Sequence, residues 1–187
     1  MRPQKVLDID MLIGLASVFR AKGYEGASLK DLADITGLKK ASLYHRFPNG
    51  KQEMAEAVLS NIDQWVKDNI VSVLKDDNYS PKIRLQQALS QIRVFYNQGE
   101  ETCIIRAFSM QAGLELFEQH VKEGLTEWLN AFTEIGLQLN LTPAVAEKKA
   151  LQTLIDIQGS LILTKGLHDA SIFETTMQNI ENNYLNT

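Results

Sequence analysis

The sequence predicts an all-α protein, and three observations carry that expectation. Apolar residues recur at three-and-four spacing, and Val, Ile and Thr nowhere alternate over a run long enough for a strand. Segment starts carry helix-opening chemistry: Ser28 with Asp31 three residues on, then Ser80-Pro81 and Thr142-Pro143. The 187 residues, 44% apolar and 22% charged, suffice for a real core and are ordinary for a globular chain.

In chain order, a first helix runs from about Leu7 to Lys22 with Leu7, Met11, Leu15, Val18 and Phe19 as its buried stripe, and Gly23 ends it. Tyr24, Gly26 and Ala27 link to Ser28, which caps a second helix, Leu29 to Thr36, with Leu29, Leu32, Ala33 and Ile35 as apolar members. Gly37 follows, a residue that takes the left-handed turn at little cost. A third helix, roughly Lys39 to Phe47, puts Leu43 and Phe47 on one face and leaves Lys39, Lys40, Ser42, His45 and Arg46 elsewhere. Phe19, Leu32, Leu43 and Phe47 are the expected core of a three-helix unit. Asn49, with Gln52 completing a capping box, opens a fourth helix carrying Met54, Val58, Ile62, Trp65, Val66 and Val73 to about Leu74.

A fifth helix after Ser80-Pro81 places Ile83, Leu85, Leu89, Ile92 and Phe95 inward. Apolar density rises from Cys103 to Met110, and Gly113 marks the expected break before a longer helix from Phe117 to Leu139. Two more helices close the chain, Ala144 to Leu167 and Ser171 to Tyr184, giving about nine.

Two short helices around a glycine turn, the second with a basic and hydroxyl-bearing face, form the helix-turn-helix pattern, whose second helix enters the major groove. The segment also resembles a known family. Gly23-Tyr24, Ser28, Leu32-Ala33, Gly37, Leu43-Tyr44-His45-Arg46-Phe47 and Lys51 are similar to the DNA-binding domain of the TetR family of bacterial transcriptional repressors. The likeness covers about the first third of the chain. Pro48-Asn49-Gly50-Lys51 is one residue longer than the usual link to the fourth helix, as in a subgroup of that family. Lys39 stands where a serine or threonine cap usually opens the recognition helix, and Gly14-Leu15 replaces a small alanine pair. Both departures bear on the DNA sequence preferred, not on the fold.

The resemblance implies a helix-turn-helix DNA-binding domain over residues 1–51 and a helical effector-binding and dimerisation domain over 52–187. It implies phosphate contacts from Tyr44, His45 and Lys51, and Ser28 joins the DNA-contact set. Lys39 and Lys40 are placed for guanine edges or phosphates, Ser42 for a base or a phosphate, and Ala41 for a thymine methyl. Charge agrees. Residues 1–51 hold nine Lys/Arg and five Asp/Glu, a net +4, within a chain of net −4, so a basic end sits on an acidic body.

For the remainder, the resemblance implies a ligand pocket in the middle helices and a homodimer through the last two, about residues 144–184. The apolar run Leu151 to Leu163 fits an interface. Trp65, Phe95, Phe108, Met110, Phe117, Trp128 and Phe132 are the candidate pocket wall, with Arg106, Gln111 and Gln158 as polar groups amid apolar runs, so the expected effector is small and apolar or aromatic.

An enzyme is the rival class. Cys103 with His120 or His168 lacks any supporting motif, and no metal spacing or phosphate loop is present, so no catalytic residue, metal or cofactor is expected. One cysteine excludes an internal disulfide. No apolar run reaches membrane-spanning length, and MRPQKVLDIDM lacks a signal-peptide core, so a cytoplasmic location is expected. The expectation is a ligand-responsive repressor that binds a palindromic operator as a dimer. The alternative is a helical binding or interaction module without operator binding.

Overall fold

A computed structural model describes residues 8–186, and of Gln111 the backbone alone. Leu7, expected in the stripe of the first helix, lies outside the described residues. Nine helices and no strand are found among those residues. They are α1 (Asp8–Gly26), α2 (Leu29–Thr36), α3 (Lys40–Arg46), α4 (Lys51–Val66, prolonged by a π-helical turn at Lys67–Val71 and a last α-turn at Ser72–Lys75), α5 (Pro81–Phe95), α6 (Ile104–Phe108), α7 (Gln111–Gln138), α8 (Pro143–Leu167) and α9 (Ser171–Leu185). A 3-10 turn, Asn97–Gly99, follows α5. No described helix is long and apolar enough to cross a membrane.

The chain packs as two compact units. The first holds the residues through Gln64 together with Ile104–Val121, and the second holds Trp65–Cys103 with the residues from Lys122 onward. Helices α4 and α7 each begin in the first and end in the second. The first unit is centred on Leu15, Phe19, Leu32, Leu43, Met54 and Phe108, all buried. Each such side chain removed from water contributes roughly 1.5–3 kcal/mol before entropy is charged. The expected three-helix core of Phe19, Leu32, Leu43 and Phe47 is therefore present. Ile35 is the exception on α2: it is 51% exposed and lies over Gly14 of α1.

The second unit is built on Leu85, Leu89, Ile92, Phe132, Phe173, Met177 and Tyr184. The Tyr184 hydroxyl donates to the Phe132 carbonyl at 3.3 Å, and burial pushes it up to about 12. On α5 the sequence expectation needs correcting. Ile83 is exposed, and the neighbouring Arg84 is buried in its place. The Arg84 guanidinium donates to the Leu74 carbonyl at 3.1 Å, to Asp77 at 3.0 Å and to the Gln138 side-chain oxygen. A charged fork that satisfies a helix-end carbonyl outweighs the burial of one isoleucine, because an unpaired buried carbonyl costs about 1–3 kcal/mol.

Two other local expectations differ. Helix α4 begins at Lys51, and its start is not held by an Asn49–Gln52 box. The Glu53 carboxylate accepts from the Asn49 N–H at 2.8 Å, while Gln52 donates to Glu56 at 3.0 Å. Gly113 lies inside α7, and the departure from helical geometry comes at Phe117 (φ −122°, ψ 15°).

Candidate nucleic-acid interface

Serine and aspartate at the right spacing set the first helix of the reading unit. The Ser28 hydroxyl accepts from the Asp31 N–H at 3.1 Å, and the Asp31 carboxylate accepts from the Ser28 N–H at 3.1 Å, a reciprocal cap worth about 1 kcal/mol. Lys22 approaches the same carboxylate at 2.6 Å. Hydrogen bonds from Lys22 and then Ser28 hold the Asp31 carboxyl well below the usual carboxylate range. A group depressed on folding contributes above its unfolded pKa and loses that contribution as pH falls through the folded one, so this corner weakens only in acid. Gly37, in the left-handed region at φ 65°, ends α2.

Ser28, expected among the DNA contacts, is engaged in this cap. Its hydroxyl proton goes to Asp31 Oδ2 at 2.7 Å and its N–H to the same oxygen. Both of its donors are turned to the cap in this structure.

Helix α3 follows with Lys39 in the cap position and no side-chain cap. Leu43 is buried and fixes the helix against the core. Lys39, Lys40, Ala41, Ser42, Tyr44 and His45 are exposed, and the polar ones among them form no hydrogen bond or ion pair with the described residues. The Tyr44 ring rests beside Gly50, where an added Cβ would lie 3.4 Å from it. Arg46 is not part of that face. Its guanidinium turns back to Asp8 at 3.0 Å and the Met11 sulfur at 3.3 Å, tying α3 to α1.

Lys51 sits at the start of α4 and is already engaged. Its ammonium donates to the Tyr24 carbonyl at 2.9 Å and approaches the Glu25 carbonyl at 3.4 Å, and it lies 4.5 Å from the centre of the Tyr24 ring. An ammonium has three donors, so one is left over. The helix N-terminus around it favours an anion.

The seven candidate pocket residues fall into separate groups. Phe108 and Phe117 pack edge-on at 5.1 Å and enclose Tyr24 with Phe19 in the first unit. Trp65 and Phe95, both half-buried, stack at 4.9 Å in the second unit. Trp128 and Phe132 stack at 6.2 Å, also in the second unit. Met110 is 64% exposed and lines a surface cleft of about 290 Å³ with Lys22, Gly23, Glu25 and Arg106. Arg106 is exposed and Gln158 half-buried, and the Gln111 side chain lies outside the described structure. Cys103 is buried, its sulfur 3.7 Å from the Tyr96 hydroxyl.

Sequence reasoning missed three polar ties: Arg84 on α5, the His120–Asp63 pair at 2.5 Å, and Glu25, whose carboxylate accepts from the Ala112 N–H at 2.8 Å. Each joins positions far apart in sequence, where no local pattern signals the partner.

A short helix pair over a buried core, with a basic face that has no side-chain partner among the described residues, is the arrangement of a helix-turn-helix unit. The family model for bacterial regulatory proteins of the tetR family matches residues 14–58. An uncharacterised helix-turn-helix transcriptional regulator from the lacX 3' region of Lactococcus lactis is 24% identical over 174 residues, spanning 87% of this chain and 85% of that protein. Among solved structures, a TetR transcriptional regulator from Legionella pneumophila superposes with a TM-score of 0.80 at 19% identity, over 97% of this chain and 98% of that one. The regulator CifR, as a cysteine mutant complexed with a 26-base-pair operator, gives 0.73 at 19% identity over 98% of both chains. Residues 14–58 thus match the DNA-binding domain of tetR-family regulators, and the chain as a whole is similar to helix-turn-helix transcriptional regulators over most of its length.

Proposed function

We propose that this regulator is a repressor working in the cytoplasm, that it binds an inverted-repeat operator as a homodimer, and that a small apolar or aromatic effector releases it. One observation carries the reading: α3 and its cap hold Lys39, Lys40, Ser42, Tyr44 and His45 exposed over a buried Leu43, with no side-chain partner among the described residues. Side chains with no internal partner are the ones free to reach phosphates and base edges. Residues 1–51 act as the DNA-binding segment and 52–187 as the effector and dimerisation part. Tyr44, His45 and the spare donor of Lys51 take phosphates; Lys39, Lys40, Ala41 and Ser42 face the groove.

Dimerisation is supported by α8. It buries Ala146, Ala150, Leu154, Ile157 and Leu161 on one side and leaves Leu151, Ile155, Ile162, Leu163 and Leu167 more than half exposed on another. That second apolar face needs a partner. The exposed positions of α9 are polar, Ser171, Thr175, Gln178 and Asn182 among them, so α8 supplies most of the apolar contact. One recognition unit makes too few base contacts to select a site alone, which also favours a pair on two half-sites. For the effector, the half-buried Trp65–Phe95 stack offers an aromatic surface that a flat apolar molecule would complement.

The test is selection of bound duplexes from a random pool by the purified full chain, followed by salt titration of the winners. An enriched inverted repeat whose affinity falls steeply with salt is expected; no enrichment at low salt would sink the operator reading. Within that assay, Lys40→Ala should lose about 1–3 kcal/mol at its own base position and relax the preference there. Uniform weakening across sequences, with a flatter salt slope, would instead assign Lys40 to a phosphate.

A further inference from the structure

The end of α1 is more than a helix terminus. Helical backbone geometry breaks at Gly23 (φ 72°, ψ 171°), and Tyr24 to Gly26 form an elbow beyond it. Four ties converge on that elbow, all within the first compact unit. Lys22 pairs with Asp31 in the first turn of α2 at 2.6 Å. The Tyr24 and Glu25 carbonyls hold the Lys51 ammonium at the start of α4. The Tyr24 ring packs edge-on against Phe117 of α7 at 5.2 Å. Finally, the Glu25 carboxylate accepts from the Ala112 N–H in the first turn of α7 at 2.8 Å.

The last of these is unusual in its source. A helix start is ordinarily satisfied by a residue just before it. Ser109 is in reach by sequence, yet its hydroxyl donates back to the Ile105 carbonyl at 2.6 Å. The Ala112 amide of α7 is met instead by a carboxylate 87 positions earlier in the chain. A local cap steadies one helix. A charge-assisted bond from another element also fixes where that element sits.

We propose that Glu25 is a positioning residue for operator reading: by gripping the start of α7 it sets the place from which the elbow holds α2 and the start of α4. It acts through Lys22, Lys51 and Tyr24, and makes no contact with DNA itself. Helix α7 continues in the chain from this grip into the second unit, so in a dimer on two half-sites the grip bears on the half-site separation the protein accepts. The inference rests on the operator reading above.

The experiment uses the full chain and the selected operator, with versions one base pair longer or shorter between half-sites. Wild-type protein should prefer the selected spacing by about tenfold, since half-site separation is a geometric constraint. Glu25→Ala should cut that preference by at least about threefold while leaving the salt slope unchanged, because no phosphate contact is lost. Glu25→Gln, which keeps an oxygen facing Ala112, should restore most of it. Ala112→Pro removes the donor from the other side at a helix position that tolerates proline, and should reproduce Glu25→Ala. If both bond-breaking variants weaken all spacings equally, the bond is only a cap and the proposal fails. If wild type itself enriches no inverted repeat, the operator reading fails, and the positioning role falls with it.

Discussion

Gly99→Ala is expected to destabilise the protein by about 3 kcal/mol or more, the sum of a backbone and a packing cost. Gly99 is buried, with φ at +94°. A side chain in that region is strained whatever space surrounds it, and the surroundings here are full. An added Cβ would lie 2.6 Å from the Cβ of Phe173 and 2.8 Å from its Cγ. Phe173 is fully buried on α9 and stands close to Tyr96, with ring centres 6.2 Å apart, so it has nowhere to withdraw. The turn also has no slack. Asn97 and Gln98 are already at positive φ, and the Tyr96 carbonyl accepts from both Gly99 and Glu101 at 2.9 Å. For a chain of this size the melting temperature should fall by roughly 10 °C. A melt within about 2 °C of wild type would show that the turn relaxes in a way this geometry does not allow.

Lys51→Ala should act twice. Loss of the ammonium removes the tie from α4 to the Tyr24 and Glu25 carbonyls, an expected cost of about 1–3 kcal/mol in stability. If the third donor holds a phosphate, affinity also falls for every sequence alike, and the slope of log affinity against log salt becomes shallower by about one per phosphate lost. The two effects separate experimentally. Denaturant unfolding without DNA reads the first, and salt titration of operator binding reads the second. A stability loss with an unchanged slope would confine Lys51 to holding the elbow.

Much of this fold is legible in the sequence because its signals are local. Ser28 with Asp31, Pro81 behind Ser80, Pro143 behind Thr142 and the spacing of Met11, Leu15, Val18 and Phe19 all lie within one or two turns, and each corresponds to a helix start or buried stripe in the structure. The exposed face of α3 is legible for the same reason: with Leu43 and Phe47 inward, Lys40, Ala41, Tyr44 and His45 fall outward by helical geometry. What could not be read involves partners distant in sequence. Nothing near Arg84 announces that it will displace Ile83 from the inner face, since the Leu74 carbonyl and Gln138 are brought to it only by folding. Ser28 shows a different limit. A hydroxyl that caps a helix looks the same in sequence as one that meets a phosphate, and only the direction of its proton distinguishes them. The aromatic residues grouped as one pocket wall show a third limit, because type and helical spacing do not say which rings stack on each other.

The π-helical turn at Lys67–Val71 has a consequence for comparing this chain with its relatives. Closing a bond from residue i to i+5 encloses one residue more than the ordinary i to i+4 bond. Here the Ser72 N–H reaches back to the Lys67 carbonyl, and the Asn69 amide donates to the Trp65 carbonyl at 2.8 Å beside the widened turn. A helix that takes up an extra residue in this way keeps its buried face on both sides: Val66 before the turn and Leu74 after it both point inward. Alpha4 therefore behaves as a helix that has absorbed a single insertion. Relatives with an unbroken α-helix here should align with a one-residue gap between 67 and 71, and their inward-facing positions should match on either side of it.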